Sequence, residues 1–426
     1  MTIDKGEFRT RFFKIFSVDV LVKAGGFLLL PVYLQIMSPD EFGKYSYLFS
    51  IVGMYVFIFG MGQHVALSRF YHANEFSREE LVSNIYIVLT LSFFLFLAIL
   101  LAFQSLVVEM LFKSGLSDIL YYIAVALAVL MTLDQIFMMY LYQSEQVDLI
   151  RNKKLFDFFC INILALISLY YIACCSVDAR IGSMLVSYII ILALFYRVLL
   201  RKRYIKISKR SYKVCQRFVK NGIPVAIGSF ANFFIAFGDR FVIEKLLDET
   251  ALGIYSFAVI ISGVLLMIFG SFQSIWLPYF FKEKNLDTSF RRVYKIIILY
   301  GCGSIVAGVG LYALVYLLAN YFIDPIYLSS LKFLWLLLFA VSFQVFGMLI
   351  AGFYQIFEKN YVSVPINIGA GLLNIQLNYY FVENLQLLGA ALSTVIVSVL
   401  LFVVHFSLVH FYKNRGSYGE YRSAVK

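Results

Sequence analysis

"GKYSYLFSIVGMYVFIFGMGQHVALSRF", residues 43–70, returns 210 positions later as "GIYSFAVIISGVLLMIFGSFQSIWLPYF", residues 253–280. Laid over one another without a gap, the two stretches agree at 11 of 28 positions. Apolar bias accounts for some of these matches. It does not readily bring Gly43, Tyr45, Gly60 and Gln63 into one register with Gly253, Tyr255, Gly270 and Gln273. A second echo pairs "IGSMLVS" (residues 181–187) with "LGAALST" (residues 388–394) at an offset of 207, a slip the size of a loop deletion. The chain therefore reads as two related halves.

Composition says what the halves are made of. Of 426 residues, 62% are hydrophobic and only 14% charged, and apolar runs recur from end to end. That is a polytopic membrane protein, not a string of soluble domains. Twelve stretches are long enough to cross a bilayer: about 12–36, 44–67, 81–103, 119–142, 154–174, 181–200, 222–245, 252–276, 294–319, 330–355, 361–382 and 387–411. The first is longer than a signal-peptide core and is read as a retained span. Six spans per half is an even number, so both halves enter the membrane the same way. They are parallel repeats about a pseudo-twofold axis along the membrane normal, a plan associated with alternating access. The expected organisation is an N-terminal bundle (1–200), a basic linker (201–220) and a C-terminal bundle (221–426).

Lys and Arg set the orientation. Of the 36, twenty-eight lie on the side of the termini, five on the other side, and Lys14, Lys23 and Arg240 within spans. Both termini are thus expected to be cytoplasmic. The net charge of +11 needs no nucleic acid to explain it. The run "RKRYIKISKRSYKVCQRFVK" (residues 201–220) reads as a positive-inside anchor on anionic headgroups.

Charges inside spans are the candidate functional groups. Lys23 lies about 16 Å along the first span, too deep for its ammonium to reach water past lipid, so it must face protein or a hydrated space. Asp19 shares its face one turn earlier. The two form either a structural pair or a lumen contact in which Asp19 holds Lys23 until an anion competes. Arg240, one turn from Glu244, is either a headgroup-level bridge or a cavity cation. Arg69, beside His64 and His72, is either an interface anchor or a phosphate contact at the inner leaflet. Asp134 is too deep for a free carboxylate. It either pairs with a basic lumen residue or carries a coupling proton. Asn232, Gln344, Asn374 and Asn378 are further polar groups in spans, suited to bonds between helices or to a ligand. Lys14, Asp157, His405 and His410 are assigned to span ends. Gly25, Gly26, Pro31, Gly222 and Pro224 mark places where a helix bends or packs closely. The five cysteines have no metal-ligand spacing, and Cys174 and Cys175 are neighbours. No phosphate-binding G-x-x-x-x-G-K-[ST] run is present, so ATP hydrolysis is not expected. No metal, cofactor or catalytic set is expected.

The stretches "LQIMSPDEFGKYSY", "GIPVAIGSFANFFIAFGDRFVIEKLLDETALGIYSFA", "SIWLPYFF" and "NYYFVENLQLLGAALSTVI" together resemble the Wzx-type O-antigen and polysaccharide flippases of the multidrug/oligosaccharidyl-lipid/polysaccharide exporter superfamily. The resemblance spans essentially the whole chain and implies twelve helices in two bundles, V-shaped, around a cation-bearing central cavity. It implies transfer of an undecaprenyl-pyrophosphate-linked oligosaccharide to the periplasmic leaflet of the bacterial inner membrane, coupled to H+ or Na+. Such a cavity fits Lys23, Arg69 and Arg240; Asp19 and Asn232 join them as cavity candidates from their places in the spans, and Asp134, which matches no family motif, is the coupling candidate. A monomer is plausible on this reading. The rivals are a drug/cation antiporter of the same superfamily, which needs an acidic site, its lipid II flippase branch, usually with fourteen spans, and a membrane glycosyltransferase or polymerase of the same pathway.

Overall fold

A computed structural model describes residues 5–71, 76–113, 117–172, 176–201, 211–282, 285–357 and 359–415. His72, Cys174, Cys175 and residues 202–210 of the basic run lie outside them. Every regular element among the described residues is helical. In chain order these are α1 (Lys5–Ile36), α2 (Pro39–Gly60), α3 (Gln63–Tyr71), α4 (Arg78–Ala102), α5 (Gln104–Leu111), α6 (Asp118–Gln143), α7 (Val147–Tyr171) and α8 (Ser176–Arg201). There follow α9 (Tyr212–Leu246), α10 (Glu249–Lys282), α11 (Leu286–Tyr321), α12 (Leu331–Ala351), α13 (Phe353–Ile356) and α14 (Ser363–Asn414), with short 3-10 turns at Pro325–Ser330 and Asn360–Val362.

Eleven of the described helical segments are long and apolar enough to cross a membrane, so the protein is a multi-pass membrane protein. The last of them, α14, has 52 residues. Straight, it would run about 78 Å, more than twice a hydrocarbon core. Gln386 breaks it with φ 51° and ψ −133°. The two arms make two crossings, which gives the twelve spans read from the sequence, with the break between 382 and 387 where a loop is expected.

Local chemistry fixes the helix ends. The Ser38 amide donates to Glu41 Oε2 at 2.9 Å ahead of α2, with Pro39 at the first helical position. At the start of α4 the exchange is reciprocal: the Ser77 amide donates to Glu80 Oε2 at 3.1 Å and the Glu80 amide donates to Ser77 Oγ at 3.2 Å. Asn285 accepts from the Thr288 amide at 3.1 Å to start α11. α2 stops because Met61 (φ 43°) and Gly62 (φ 65°) turn left-handed.

The chain divides into two compact units, Met1–Phe230 and Ala231–Lys426. The dividing point falls inside α9. The second half of the basic run is not a free linker: it is the first turns of α9, whose Val214 and Phe218 are buried against Leu67, Phe70, Ile85 and Phe137 in the core of the first unit. The second unit has its own aromatic core, in which the Phe290 and Phe353 rings stack with centroids 4.0 Å apart.

Gly222 has a packing role. α9 stays helical through Gly222 and Pro224. A Cβ at Gly222 would lie 2.4 Å from Met61 O and 2.4 Å from Gln63 Nε2. Gly62 approaches from the other side, its own ideal Cβ falling 2.5 Å from Gly222 O. Two glycines thus let the α2–α3 turn sit directly on α9, where Gln63 Nε2 donates to Phe218 O at 3.4 Å. Gly25 does similar work in α1, since a Cβ there would come within 2.6 Å of the Phe158 ring on α7.

Candidate functional site

α1 and α7 join along a polar seam. At one end Lys154 Nζ donates to Asp19 Oδ1. Gly25 meets Phe158 in the middle. Further along, Tyr33 Oη donates to Asn162 Oδ1 at 2.8 Å, and Arg180 of α8 donates to Tyr33 Oη at 3.1 Å. The Arg180 guanidinium also lies 4.2 Å from the centre of the Tyr33 ring and 5.5 Å from that of Tyr45.

The partner of Asp19 is therefore Lys154 and not Lys23. Lys23, one turn on, is exposed and makes no ion pair among the described residues. The i,i+4 spacing brings Asp19 and Lys23 to one face of α1, but a neighbouring helix supplies the nearer ammonium. What remains is an unneutralised cation deep in the first span.

A second charged cluster lies inside the first unit. Lys153 is fully buried, with Nζ 2.6 Å from Asp134 Oδ1 and 2.6 Å from Asp157 Oδ2. The Phe137 and Phe195 rings flank it, each centred 5.9 Å away. Asp157 Oδ1 is buried without a hydrogen-bond partner. Two carboxylates share one ammonium, which leaves one uncompensated negative charge when all three are ionised. Counting cations by loop places Lys153 and Lys154 in a cytoplasmic connection, yet both lie on α7 within the bundle. The signal available in the sequence was the Lys153–Asp157 spacing of four.

Arg69, at the last turn of α3, donates to Asn221 Oδ1 of α9 at 2.8 Å and lines a basic concavity with Lys213, Arg217 and Lys220. In the second unit Arg240 is buried over the Phe237 ring, 4.7 Å from its centre, and its Nε and Nη1 have no hydrogen-bond partner. Asp239, also buried, accepts from Tyr255 Oη at 2.5 Å. Tyr255 is the repeat counterpart of Tyr45, so each unit seats a charged group against the same tyrosine position. Asn232 is exposed. Asn374 donates to Phe234 O and Ile235 O at 3.3 and 3.1 Å, and Asn378 donates to Asn374, so these two amides tie α9 to α14. Gln344 donates to Ser398 at 3.3 Å. His405 is in the core, with Nδ1 3.1 Å from Tyr354 Oη, instead of at an interface. No cluster of His, Cys, Asp and Glu among the described residues is set to hold a metal.

A family profile described as "Polysaccharide biosynthesis protein" matches residues 10–284. No curated protein matches the chain. Among solved structures, an inward-facing multidrug resistance MATE family transporter of the MOP superfamily is 14% identical. The match covers 94% of this chain and 96% of that one, with a TM-score of 0.69. The lipid II flippase MurJ in an inward closed conformation is 15% identical over 94% of this chain and 87% of that one, with a TM-score of 0.70. A MOP superfamily transporter from Pyrococcus furiosus is 14% identical over 95% and 96%, with a TM-score of 0.55. At such identities the likeness shows the fold alone: an all-helical, multi-pass membrane fold of the kind the MATE and MurJ proteins have.

Proposed function

The chain belongs to the polysaccharide biosynthesis protein family, and on that footing we propose that it is a Wzx-type flippase. It carries an undecaprenyl-pyrophosphate-linked oligosaccharide from the cytoplasmic to the periplasmic leaflet of the bacterial inner membrane by alternating access. The observation that carries this reading is Lys23. An ammonium at the bilayer centre costs roughly 3 kcal/mol even on the mildest scale. With Asp19 given to Lys154, that cost has no compensating ion pair among the described residues. A diphosphate with about two negative charges supplies it through charge-assisted hydrogen bonds.

The same residues weigh against a drug/cation antiporter. A drug antiporter needs a carboxylate open to a bulky cation, whereas Asp19 is bound to Lys154, and Asp134 and Asp157 both close on the fully buried Lys153. Coupling is assigned to that trio: its one uncompensated negative charge is neutralised by a single H+ or Na+, and the neutral trio favours a different packing of α6 on α7. Protein side chains bind and move the substrate here, and no bond of it is made or broken.

The test is deletion of the gene followed by assay of the lipid-linked sugar. Accumulation of the repeat unit in the inner leaflet, reversed by wild-type protein, supports the reading. Outer-leaflet delivery that continues without the protein contradicts it.

A further inference from the structure

The concavity at Arg69 is more than a surface anchor. It is an open hollow of about 550 Å³ between the end of α3 and the start of α9. Lys213, Arg217 and Lys220 follow one another at spacings of four and three, which puts them on one stripe of α9. Gln216 and Asn221 complete the polar wall. Arg69 is aimed from the facing helix and held by Asn221, which is itself fixed through Nδ2 to Arg217 O at 2.9 Å. Among the described residues Arg69, Lys213 and Lys220 make no ion pair, and no carboxylate lines the space. Arg69, Lys213 and Lys220 around one concavity repel each other unless an anion enters.

The glycine contact described above makes this geometry: Gly62 on Gly222 brings α3 close enough to α9 for Arg69 to face the lysine stripe. The repeat offers no copy. The position equivalent to Arg69 in the second half is Tyr279. Simple positive-inside charge has no reason to depend on a glycine-cleared helix junction or to form in one half only. Lysines spread along a flat face would serve for that.

We infer that this pocket is a loading site for the diphosphate of a polyprenyl-linked substrate, engaged at the side the Lys/Arg bias makes cytoplasmic, before the substrate reaches Lys23. The inference rests on the flippase reading. Paired phosphates match the pocket better than one: the Arg69 fork takes one phosphate and the α9 stripe the other. Phospholipid headgroups present a single phosphodiester and the same sign of charge, so they are the competing source.

The experiment is equilibrium binding of geranylgeranyl diphosphate to the purified full-length protein in nanodiscs, with geranylgeranyl monophosphate and phosphatidylglycerol as competitors. The expected result is saturable diphosphate binding, weakened at least tenfold in Lys213→Gln/Lys220→Gln and separately in Arg69→Gln, and displaced poorly by either competitor. Folding of each variant is checked by its thermal midpoint. Arg69→Lys, which keeps the charge but loses the fork, is expected to fall between. Undiminished binding in folded variants overturns the inference, and so does equal displacement by phosphatidylglycerol, which would make the pocket a headgroup anchor. Absence of any diphosphate binding to wild type overturns it as well. Each of these leaves the leaflet assay free to succeed, so loss of the loading site and loss of the flippase reading are told apart.

Discussion

Asp19 on α1 is bound to Lys154 on α7, and this single bond decides the electrostatics of Lys23 four residues away. If Asp19 were free, Lys23 would be half of a neutral pair. With Asp19 taken, Lys23 has no ion-pair partner among the described residues, and on the flippase reading it is the cation that meets the diphosphate. Asp19→Asn is therefore expected to release Lys154 and leave Lys23 functional, with transport reduced only a few-fold. Asp19→Lys, which adds a third cation to the seam, is expected to lower the folded yield sharply. Quantified membrane expression and repeat-unit export in a deletion strain check both.

Removing Lys153 leaves Asp134 and Asp157 facing each other in a buried site. Lys153→Met is expected to destabilise the protein by about 3–5 kcal/mol, the usual cost of orphaning a buried charge. The triple change Asp134→Asn/Lys153→Met/Asp157→Asn removes all three charges and is expected to recover most of that loss while abolishing ion coupling. Thermal unfolding in detergent and export driven by an imposed ion gradient separate the two effects.

Two glycines of similar sequence context should respond in opposite directions. Gly222→Ala places a methyl 2.4 Å from the Met61 carbonyl oxygen, a backbone atom that must move. About 1–3 kcal/mol of destabilisation is expected from this overpacking. Gly26→Ala meets nothing within 4 Å and lies inside α1, so it is expected to stabilise by about 0.5–1 kcal/mol. Thermal midpoints of the two variants, measured side by side, show whether the sign differs.

The break in α14 holds a non-glycine residue in a glycine-like conformation. Gln386→Gly is expected to raise stability by about 1 kcal/mol by relieving the left-handed backbone, and Gln386→Val to lower it. A shift of the thermal midpoint in the other direction for either variant would mean that the arms of α14 are continuous.

The spans and the repeat were legible because both depend on apolar periodicity and on small landmarks such as Gly60 and Gln63, which act locally. Even the break near Gln386 showed as a gap between two apolar runs. The charge partners were not legible. Spacing along one helix suggests Asp19–Lys23, but the nearer partner comes from α7, 135 residues away. Lys153 looked like a loop cation because hydropathy fades at helix ends, whatever a side chain faces. Arg180 lies between two apolar runs of the sequence, yet its guanidinium stacks on Tyr33 inside the unit. The α9 stripe was visible as charge, but its wall-and-fork geometry depends on the Gly62–Gly222 contact, which a linear reading cannot bring together.

Transfer of a fluorescent polyprenyl-diphosphate-linked sugar between leaflets of proteoliposomes, with wild-type, Lys23→Ala and Lys23→Arg proteins reconstituted at equal density, bears on Lys23 itself. Wild type is expected to move the probe, Lys23→Arg to retain a substantial fraction of the rate, and Lys23→Ala to lose at least 90% of it while remaining folded, a loss of about 1.4 kcal/mol or more in barrier terms. Equal rates for wild type and Lys23→Ala would contradict a diphosphate contact at that ammonium.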